Sequence, residues 1–266
     1  MRKSPPSRTA GCETSRISGG SLRRLALLHN RRATRKERDD SISLPGLTHM
    51  APPLVLELFS GTGSIGTAFR DAGWEVFSVD NDPSRETSVC CDVRELDVNT
   101  LPRKPDFIWA SPVCKHYSVC RRNARTPPDL EGADSLVLAA LRIQEHFGCP
   151  MLMENPESGL LKTRPFMQNI PRVTVDYCKW WSPGFPHKAR KRTAIFLVGA
   201  DYLPSRPLCR HDCGFCVGRT HEERIGHSSC VVRHVRRLEE TYRIPPLLCQ
   251  EIAQWATEKM RRSEII

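Results

Sequence analysis

Two side chains with catalytic potential, Cys114 and Glu154, each follow a short apolar run in this sequence. A thiolate is a strong nucleophile, and Lys115 and His116 beside Cys114 would stabilise its charged form. Glu154 is poorly explained as a core residue, because carboxylates are rarely buried without partners. Cys114 is therefore a candidate nucleophile, and Glu154 is a candidate site residue.

Two arginines form a third candidate group. Arg190 and Arg192 alternate along the approach to the apolar run 193–198, so both side chains should point the same way. Their guanidinium groups could hold a base carbonyl or a phosphate. For Lys188 and Lys191, in the same basic run, a solvated strand entrance and a functional role are equally good interpretations.

A glycine turn precedes these groups in the chain. Gly61-Thr-Gly-Ser-Ile-Gly66 fits G-x-G-x-x-G, and Asp80 follows Gly61 by nineteen residues, where it could bind ribose hydroxyls. The turn alone fits a nicotinamide dehydrogenase as well as an S-adenosylmethionine enzyme. Glu57 and Phe59 on the strand side, with Asp92 placed to meet an adenine amino group, favour the methyl donor. Helix-capping loop carboxylates are the alternative interpretation of the three acids.

Apolar runs alternate with helical patterns from residue 54 onwards, which predicts an α/β fold with a doubly wound, mostly parallel sheet. The predicted strands are 54–59, 75–79, 106–110, 151–153 and 193–198. Helices are predicted over 64–72 and 134–147, each followed by glycine, and a final amphipathic helix is predicted over 248–260.

A cysteine- and histidine-rich segment interrupts this rhythm between about 200 and 238. Cys209, Cys213 and Cys216 offer soft ligands for a tetrahedral zinc, with His211, His221 or Cys230 as the fourth. His211, which lies between Cys209 and Cys213, is the expected fourth ligand. A reduced, cysteine-rich loop without metal is the alternative. The arginines of this segment could contact phosphates or guanine edges.

The basic charge of the chain is concentrated at its start. The formal net charge is +10, and residues 1–50 hold eleven Lys or Arg against four Asp or Glu, or +7. This Arg-, Ser- and Pro-rich stretch predicts a disordered arm, which could also be a transit segment or lie ahead of a start at Met50.

Twelve cysteines without a secretory leader predict a reducing, intracellular setting, in cytoplasm, nucleoid or nucleus. No apolar stretch reaches the ~18 residues that would span a bilayer, so no membrane partner is expected.

The motifs, taken in order, resemble those of the DNA cytosine-5 methyltransferases over roughly residues 53–200 and again near the C-terminus. They are the turn 59–66, the acids at 80 and 92, Ser-Pro-x-Cys at 111–114, Glu-Asn at 154–155 and Arg-x-Arg at 190–192. The resemblance implies transfer of a methyl group from S-adenosylmethionine to C5 of cytosine in double-stranded DNA, with the target base flipped out of the duplex. We expect a monomer.

The resemblance also implies roles for individual residues. Cys114 would be the nucleophile, Glu154 the proton donor at the base and Arg192, with Arg190 beside it, a base-orienting donor. Asp80 would bind the ribose and Asp92 the adenine of S-adenosylmethionine. The rest of the cofactor site would be formed by Phe59, Ser60, Gly61, Thr62, Gly63 and Pro112.

The expected organisation has four parts: the arm (1–50), a catalytic domain (51–200), a recognition module (201–238) and a C-terminal helix (239–266). The chain departs from the family where Val113 separates Pro112 from Cys114 and where no Gly-Asn-x-x-Pro element is visible, although 242–246 could take its place. An RNA cytosine-5 methyltransferase and an inactive DNA-binding relative remain alternatives.

Overall fold

The computed structural model describes residues 51–119, 125–225, 233–235 and 238–263. The predictions for the arm, for the start at Met50 and for Cys230 lie outside these residues. All described residues belong to one compact unit, His49–Ile266.

A seven-stranded sheet forms the centre of this unit, in the order β3-β2-β1-β4-β5-β7-β6. Strands β1 to β5 run parallel, whereas β7 is antiparallel to both β5 and β6. The strands are β1 (Leu54–Leu58), β2 (Glu75–Asp80), β3 (Val89–Cys90), β4 (Phe107–Ala110), β5 (Met151–Pro156), β6 (Arg172–Asp176) and β7 (Arg192–Val198).

Helices cover both faces of the sheet. They are α1 (Ser64–Asp71), α2 (Leu130–Phe147), α3 (Leu238–Tyr242) and α4 (Pro246–Ser263). Buried residues of α1 and α4 belong to one hydrophobic cluster, and those of α2 belong to a second. Two short pairs follow the sheet: β8 (Cys216–Val217) with β9 (Thr220–His221), and β10 (Glu223–Ile225) with β11 (Arg233–Val235).

Side-chain alternation along the strands explains the two layers. In β4, Phe107 and Trp109 pack into the cluster of α1 and α4, whereas Ile108 and Ala110 pack into the cluster of α2. Successive side chains of a strand point to opposite faces, so a strand buried on both sides is apolar throughout. The near-continuous apolar runs in the sequence thus come from a sheet with both faces covered.

The predicted fold class is confirmed, and the differences are local. Helix α2 begins at Leu130 because the Asp129 carboxylate caps it by accepting the N–H of Gly132 (2.8 Å). It ends at Gly148, whose φ of 62° is left-handed. Strand β6 is not among the predicted strands, because it lies at the edge of the sheet and its Arg-Val-Thr-Val-Asp pattern is half polar. None of the described helices is both long and apolar enough to cross a membrane.

Candidate active site at the carboxyl edge of the sheet

One cavity of about 290 Å³ opens at the carboxyl ends of β1 and β4. These neighbouring strands lie where the strand order changes direction, since the chain runs from β1 outwards to β2 and β3 and then returns to β4. Ligands of open α/β sheets bind at such a point. The cavity is lined by Glu57, Phe59–Thr62, Ser64, Ile65, Asp80–Asp82, Arg85, Trp109, Ser111–Cys114, Glu154, Lys191, Tyr242 and Ile244.

The glycine turn forms one wall of the cavity. Gly61 and Gly63 have φ of 51° and 64°, in the left-handed region that favours glycine. Phe59, with φ of 57°, is a non-glycine residue in the same region. Asp80, at the end of β2, fixes the turn because its Oδ2 accepts the N–H of Gly61 at 2.8 Å. Its Oδ1 accepts the N–H of Asp82 at 2.9 Å.

Glu57 is a buried carboxyl group at the floor of this turn. Its Oε1 accepts the N–H of Gly66 at 3.0 Å, whereas its Oε2 has no hydrogen-bond partner among the described residues. Burial raises the pKa of Glu57 to about 7. The Glu57 carboxyl group therefore changes its protonation state near neutral pH, and its Oε2 is enclosed beside Gly66.

The loop that carries Cys114 forms the opposite wall. Asn155, at the end of β5, donates from Nδ2 to the carbonyl of Pro112 at 3.0 Å. The N–H of Tyr117 donates to the carbonyl of Cys114 at 3.1 Å, and the buried Tyr117 hydroxyl donates to Asp134 at 2.8 Å. These bonds fix the backbone on both sides of the thiol.

His116, next to Lys115 in this loop, contacts the start of α2. Its Nδ1 accepts the N–H of Asp129 at 2.8 Å, which holds the imidazole at that position.

Glu154 lies within β5 and reaches the same cavity, with only 8% of its surface exposed. The Tyr177 hydroxyl donates to its Oε1 at 3.1 Å, and Lys191 Nζ lies 3.3 Å from the same oxygen. The Lys191 ammonium also lies 4.8 Å from the centre of the Tyr177 ring. The carboxylate is thus held by one neutral and one cationic donor.

Arg190 and Arg192 do point the same way, as predicted, but towards Asp176. Arg192 donates from Nε and Nη2 to the two Asp176 oxygens, each at 3.0 Å, and Arg190 Nε donates at 3.2 Å. Burial alone would raise the pKa of Asp176, but the arginines and the Cys209 N–H outweigh burial and hold that pKa low. Neither arginine lines the cavity, whereas Lys191, which lies between them in sequence, does.

Asp92 is not among the cavity residues either. Its carboxylate accepts the Arg94 N–H (2.9 Å), starting a short 3₁₀ helix, and binds the Arg94 guanidinium at 2.6 Å. The exposed guanidinium holds the pKa of Asp92 below its usual range.

The cysteine- and histidine-rich segment brings together a different set of metal-ligand atoms from the one expected. Cys209 and Cys213 lie with Cys178 and His221, and the four ligand atoms are within 4.8 Å of one another. Cys216 and His211 lie beside this cluster, 3.8 Å apart, and form a second group with His221.

Sequence reasoning missed several residues that surround the cavity. Tyr177 and Lys191 contact Glu154, and Tyr242 and Ile244 reach the cavity from the C-terminal segment. Burial raises the pKa of Tyr242, with a smaller contribution from nearby Cys114. The sequence did contain one signal for Lys191. Because side chains alternate along an extended segment, Lys191 must point away from the side to which Arg190 and Arg192 point.

Comparison with known proteins agrees with the motifs. The chain is 27% identical over 217 residues to a protein of Frog virus 3 (isolate Goorha) described as "Probable DNA (cytosine-5)-methyltransferase". The match covers 74% of this chain and 97% of the viral protein. No protein-family model matches the chain.

Solved structures similar to this chain include a methyltransferase of Entamoeba histolytica, EhMeth, with a TM-score of 0.41 and 15% identity over 59% of this chain and 56% of the other. The S. pombe Dnmt2 methyltransferase follows, with a TM-score of 0.38 and 14% identity over 58% of this chain and 52% of the other. The chain thus spans about half the length of each of these structures. The ordered motifs and the viral relative agree that the chain resembles the cytosine-5 methyltransferases.

Proposed function

We propose that this protein transfers a methyl group from S-adenosylmethionine to C5 of cytosine in double-stranded DNA. One observation carries the proposal: the glycine turn and the Cys114–Glu154 pair line the same cavity. A cofactor loop alone would fit many enzymes, and a thiol alone would fit many buried cysteines. Their convergence from β1, β4 and β5 is what methyl transfer to a pyrimidine requires.

The cavity residues fit S-adenosylmethionine. Gly61 lines the cavity without a side chain to occupy it, and Glu57 contributes a carboxyl group to the same lining. A carboxylate is a suitable partner for the cationic groups of this cofactor. Phe59, Ser60, Thr62, Asp80 and Pro112 complete the cofactor side. When bound, S-adenosylmethionine supplies an electrophilic methyl group.

On the substrate side, the residues activate a ring carbon that is a weak nucleophile. The Cys114 thiolate forms a bond to C6 of cytosine, the π electrons of the C5–C6 bond move into the ring and the Glu154 carboxyl group gives a proton to N3, which makes C5 nucleophilic. Once C5 carries the methyl group, the C5 proton passes to solvent, the C5–C6 double bond re-forms, Cys114 leaves as the thiolate and N3 returns its proton to Glu154. Lys191 and Tyr177 keep the Glu154 carboxylate in place throughout.

The choice of DNA rests on the description of the viral relative. Because C5 is stacked inside a duplex, the target base must be flipped into the cavity, at a cost of roughly a few kcal/mol. Arg192, whose side chain is 40% exposed beside Asp176, is placed to contact the nucleic-acid backbone. To bind the adenine of S-adenosylmethionine, the Asp92 carboxylate would have to break its ion pair with Arg94.

The decisive experiment supplies the protein with methyl-labelled S-adenosylmethionine together with duplex DNA or RNA. We expect 5-methylcytosine in the DNA. Label in RNA alone would show that the substrate is RNA, and label on an exocyclic amine would show that the enzyme methylates nitrogen rather than carbon. Binding of DNA without any methyl transfer would support an inactive relative.

The nucleophile is tested with Cys114→Ala. We expect methyl transfer to fall by roughly a thousandfold or more, because the covalent step is lost, with cofactor affinity unchanged. Cys90→Ala is the matched control, since Cys90 is an exposed cysteine outside the cavity. A duplex containing 5-fluorocytosine should become covalently attached to the wild type and to the control but not to Cys114→Ala. Normal turnover by Cys114→Ala would refute the mechanism.

A further inference from the structure

A cluster of three thiols and one imidazole lies behind the active site, on elements far apart in sequence. Cys178 lies in the 3₁₀ turn Tyr177–Trp180 that follows β6. Cys209 and Cys213 precede β8, and His221 ends β9. Cys178, Cys209 and His221 are buried, and Cys213 is partly buried.

The distances fit a tetrahedral metal ion. His221 Nε2 lies 3.4 Å from Cys209 Sγ and 3.3 Å from Cys213 Sγ, and the four ligand atoms all lie within 4.8 Å of one another. Around zinc, the usual bond lengths and tetrahedral angles give about 3.6 Å between sulfur and nitrogen and about 3.8 Å between two sulfurs. The cluster therefore needs only small adjustments to surround one ion.

Without a cation, the same cluster is difficult to explain as packing. The thiols of Cys209 and Cys213 both lie at weak hydrogen-bond distance from His221 Nε2, and the Cys178 thiol lies within 4.8 Å of these atoms, so one ion could satisfy all four groups.

We propose that Cys178, Cys209, Cys213 and His221 bind one structural zinc ion. Four protein ligands leave no coordination position for water, which is typical of structural rather than catalytic zinc. Cys216 and His211 then lie beside the site: Cys216 Sγ is 3.8 Å from Cys213 Sγ and His211 Nδ1 is 3.8 Å from Cys216 Sγ.

The position of the site indicates what the ion would fix. Cys178 directly follows Tyr177, which donates to Glu154. The N–H of Cys209 donates to Asp176 at 2.9 Å, and Asp176 also holds Arg190 and Arg192. The ion would thus fasten the segment that follows the sheet to the turn that supports the Glu154 carboxylate.

Metal analysis of the purified full chain tests the ligand set. We expect one zinc per chain in the wild type purified without chelators, and loss of zinc in Cys178→Ser and in His221→Ala. Cys216→Ser is the matched control, because its thiol lies beside the cluster, and it should keep the ion. A wild type that takes up no zinc even after zinc is supplied would overturn the proposal, as would zinc kept by Cys178→Ser but lost by Cys216→Ser.

A second measurement covers variants that fail to fold. The wild type loaded with Co²⁺ should show the sulfur-to-cobalt absorption of a tetrahedral site with three thiolates. His221→Cys should retain the ion and strengthen this absorption, because a fourth thiolate replaces the imidazole. An octahedral Co²⁺ spectrum without sulfur bands would contradict the proposal. Neither measurement depends on methyl transfer, so failure of the zinc site and failure of the proposed function can be told apart.

Discussion

Glu154 shows how neighbouring groups make a buried carboxylate usable. A carboxyl group with almost no exposed surface needs partners, because burying it unpartnered costs several kcal/mol. Lys191 supplies the charge and Tyr177 supplies a hydrogen bond to the same oxygen, Oε1. The second oxygen of Glu154 remains available to a base in the cavity.

Lys191→Met should lower methyl transfer roughly ten- to a hundredfold, because Glu154 loses its cation and its fixed position. Lys188→Met is the matched control: Lys188 Nζ lies 5.3 Å from the Trp181 ring centre and 5.2 Å from that of Phe215, outside the cavity. Single-turnover kinetics should place the loss in kcat rather than KM. Equal losses of methyl transfer in the two variants would show that Lys191 has no specific role.

Glu57 should make stability depend on pH. Its pKa is about 7 in the folded chain against 4.5 as the ordinary value, so between these values the folded state keeps a proton that the unfolded state has lost. The free energy of unfolding contributed by Glu57 is therefore fully present below about pH 4.5. It falls as the pH rises, by roughly 3 kcal/mol up to about pH 7 and no further.

Urea unfolding of the wild type and Glu57→Gln at pH 5 and pH 8 measures this effect. The glutamine amide stays neutral and its oxygen can still accept the Gly66 N–H. The difference between the free energies of unfolding of the wild type and the variant therefore cancels the contribution of the other titrating groups. The wild type should lose stability relative to the variant at pH 8. A difference that does not change with pH would show that Glu57 titrates normally.

At the scale of elements, the antiparallel direction of β7 decides which residues meet at the site. Because β7 runs against β5, its beginning lies at the carboxyl end of β5, where Pro156 pairs with Thr193. Residues just before β7 therefore reach the edge where ligands bind. Strand β6 ends at the same edge, which brings Asp176 and Tyr177 behind them.

The contact between α1 and β1 depends on Gly66. A Cβ there would lie 2.5 Å from Glu57 Oε2 and 3.1 Å from Val76 Cγ1. Gly66→Ala should therefore destabilise the protein by about 1–3 kcal/mol, although alanine is the better helix former. Thr67→Ala, an exposed change in the same helix, should cost far less in urea unfolding. A stabilised Gly66→Ala variant would show that β1 and α1 can separate freely.

At the scale of the whole molecule, the sheet separates two hydrophobic clusters and presents one functional edge. Among the described residues, helices α1 and α4 cover one face and α2 covers the other. The carboxyl edge remains, and the change of strand order between β1 and β4 opens it into a cavity. The C-terminal segment returns to this edge, where Tyr242 and Ile244 contribute to its lining.

The sequence by itself determined the fold class, the glycine turn and the candidates Cys114 and Glu154. These depend on local signals: strands buried on both faces are apolar throughout, left-handed turns favour glycine, and a carboxylate at the end of an apolar run is conspicuous. The order of the motifs then indicated the family.

Only the tertiary structure decided which side chains meet. Arg190 and Arg192 bind the buried Asp176, which lies at the end of the unpredicted strand β6. Lys191, between them in sequence, contacts Glu154 instead. Cys178 lies thirty-one residues before Cys209, so no local spacing could join it to the cluster. The physical reason is the same in both cases: contacts across strands depend on strand order and direction, which periodicity along one strand does not contain.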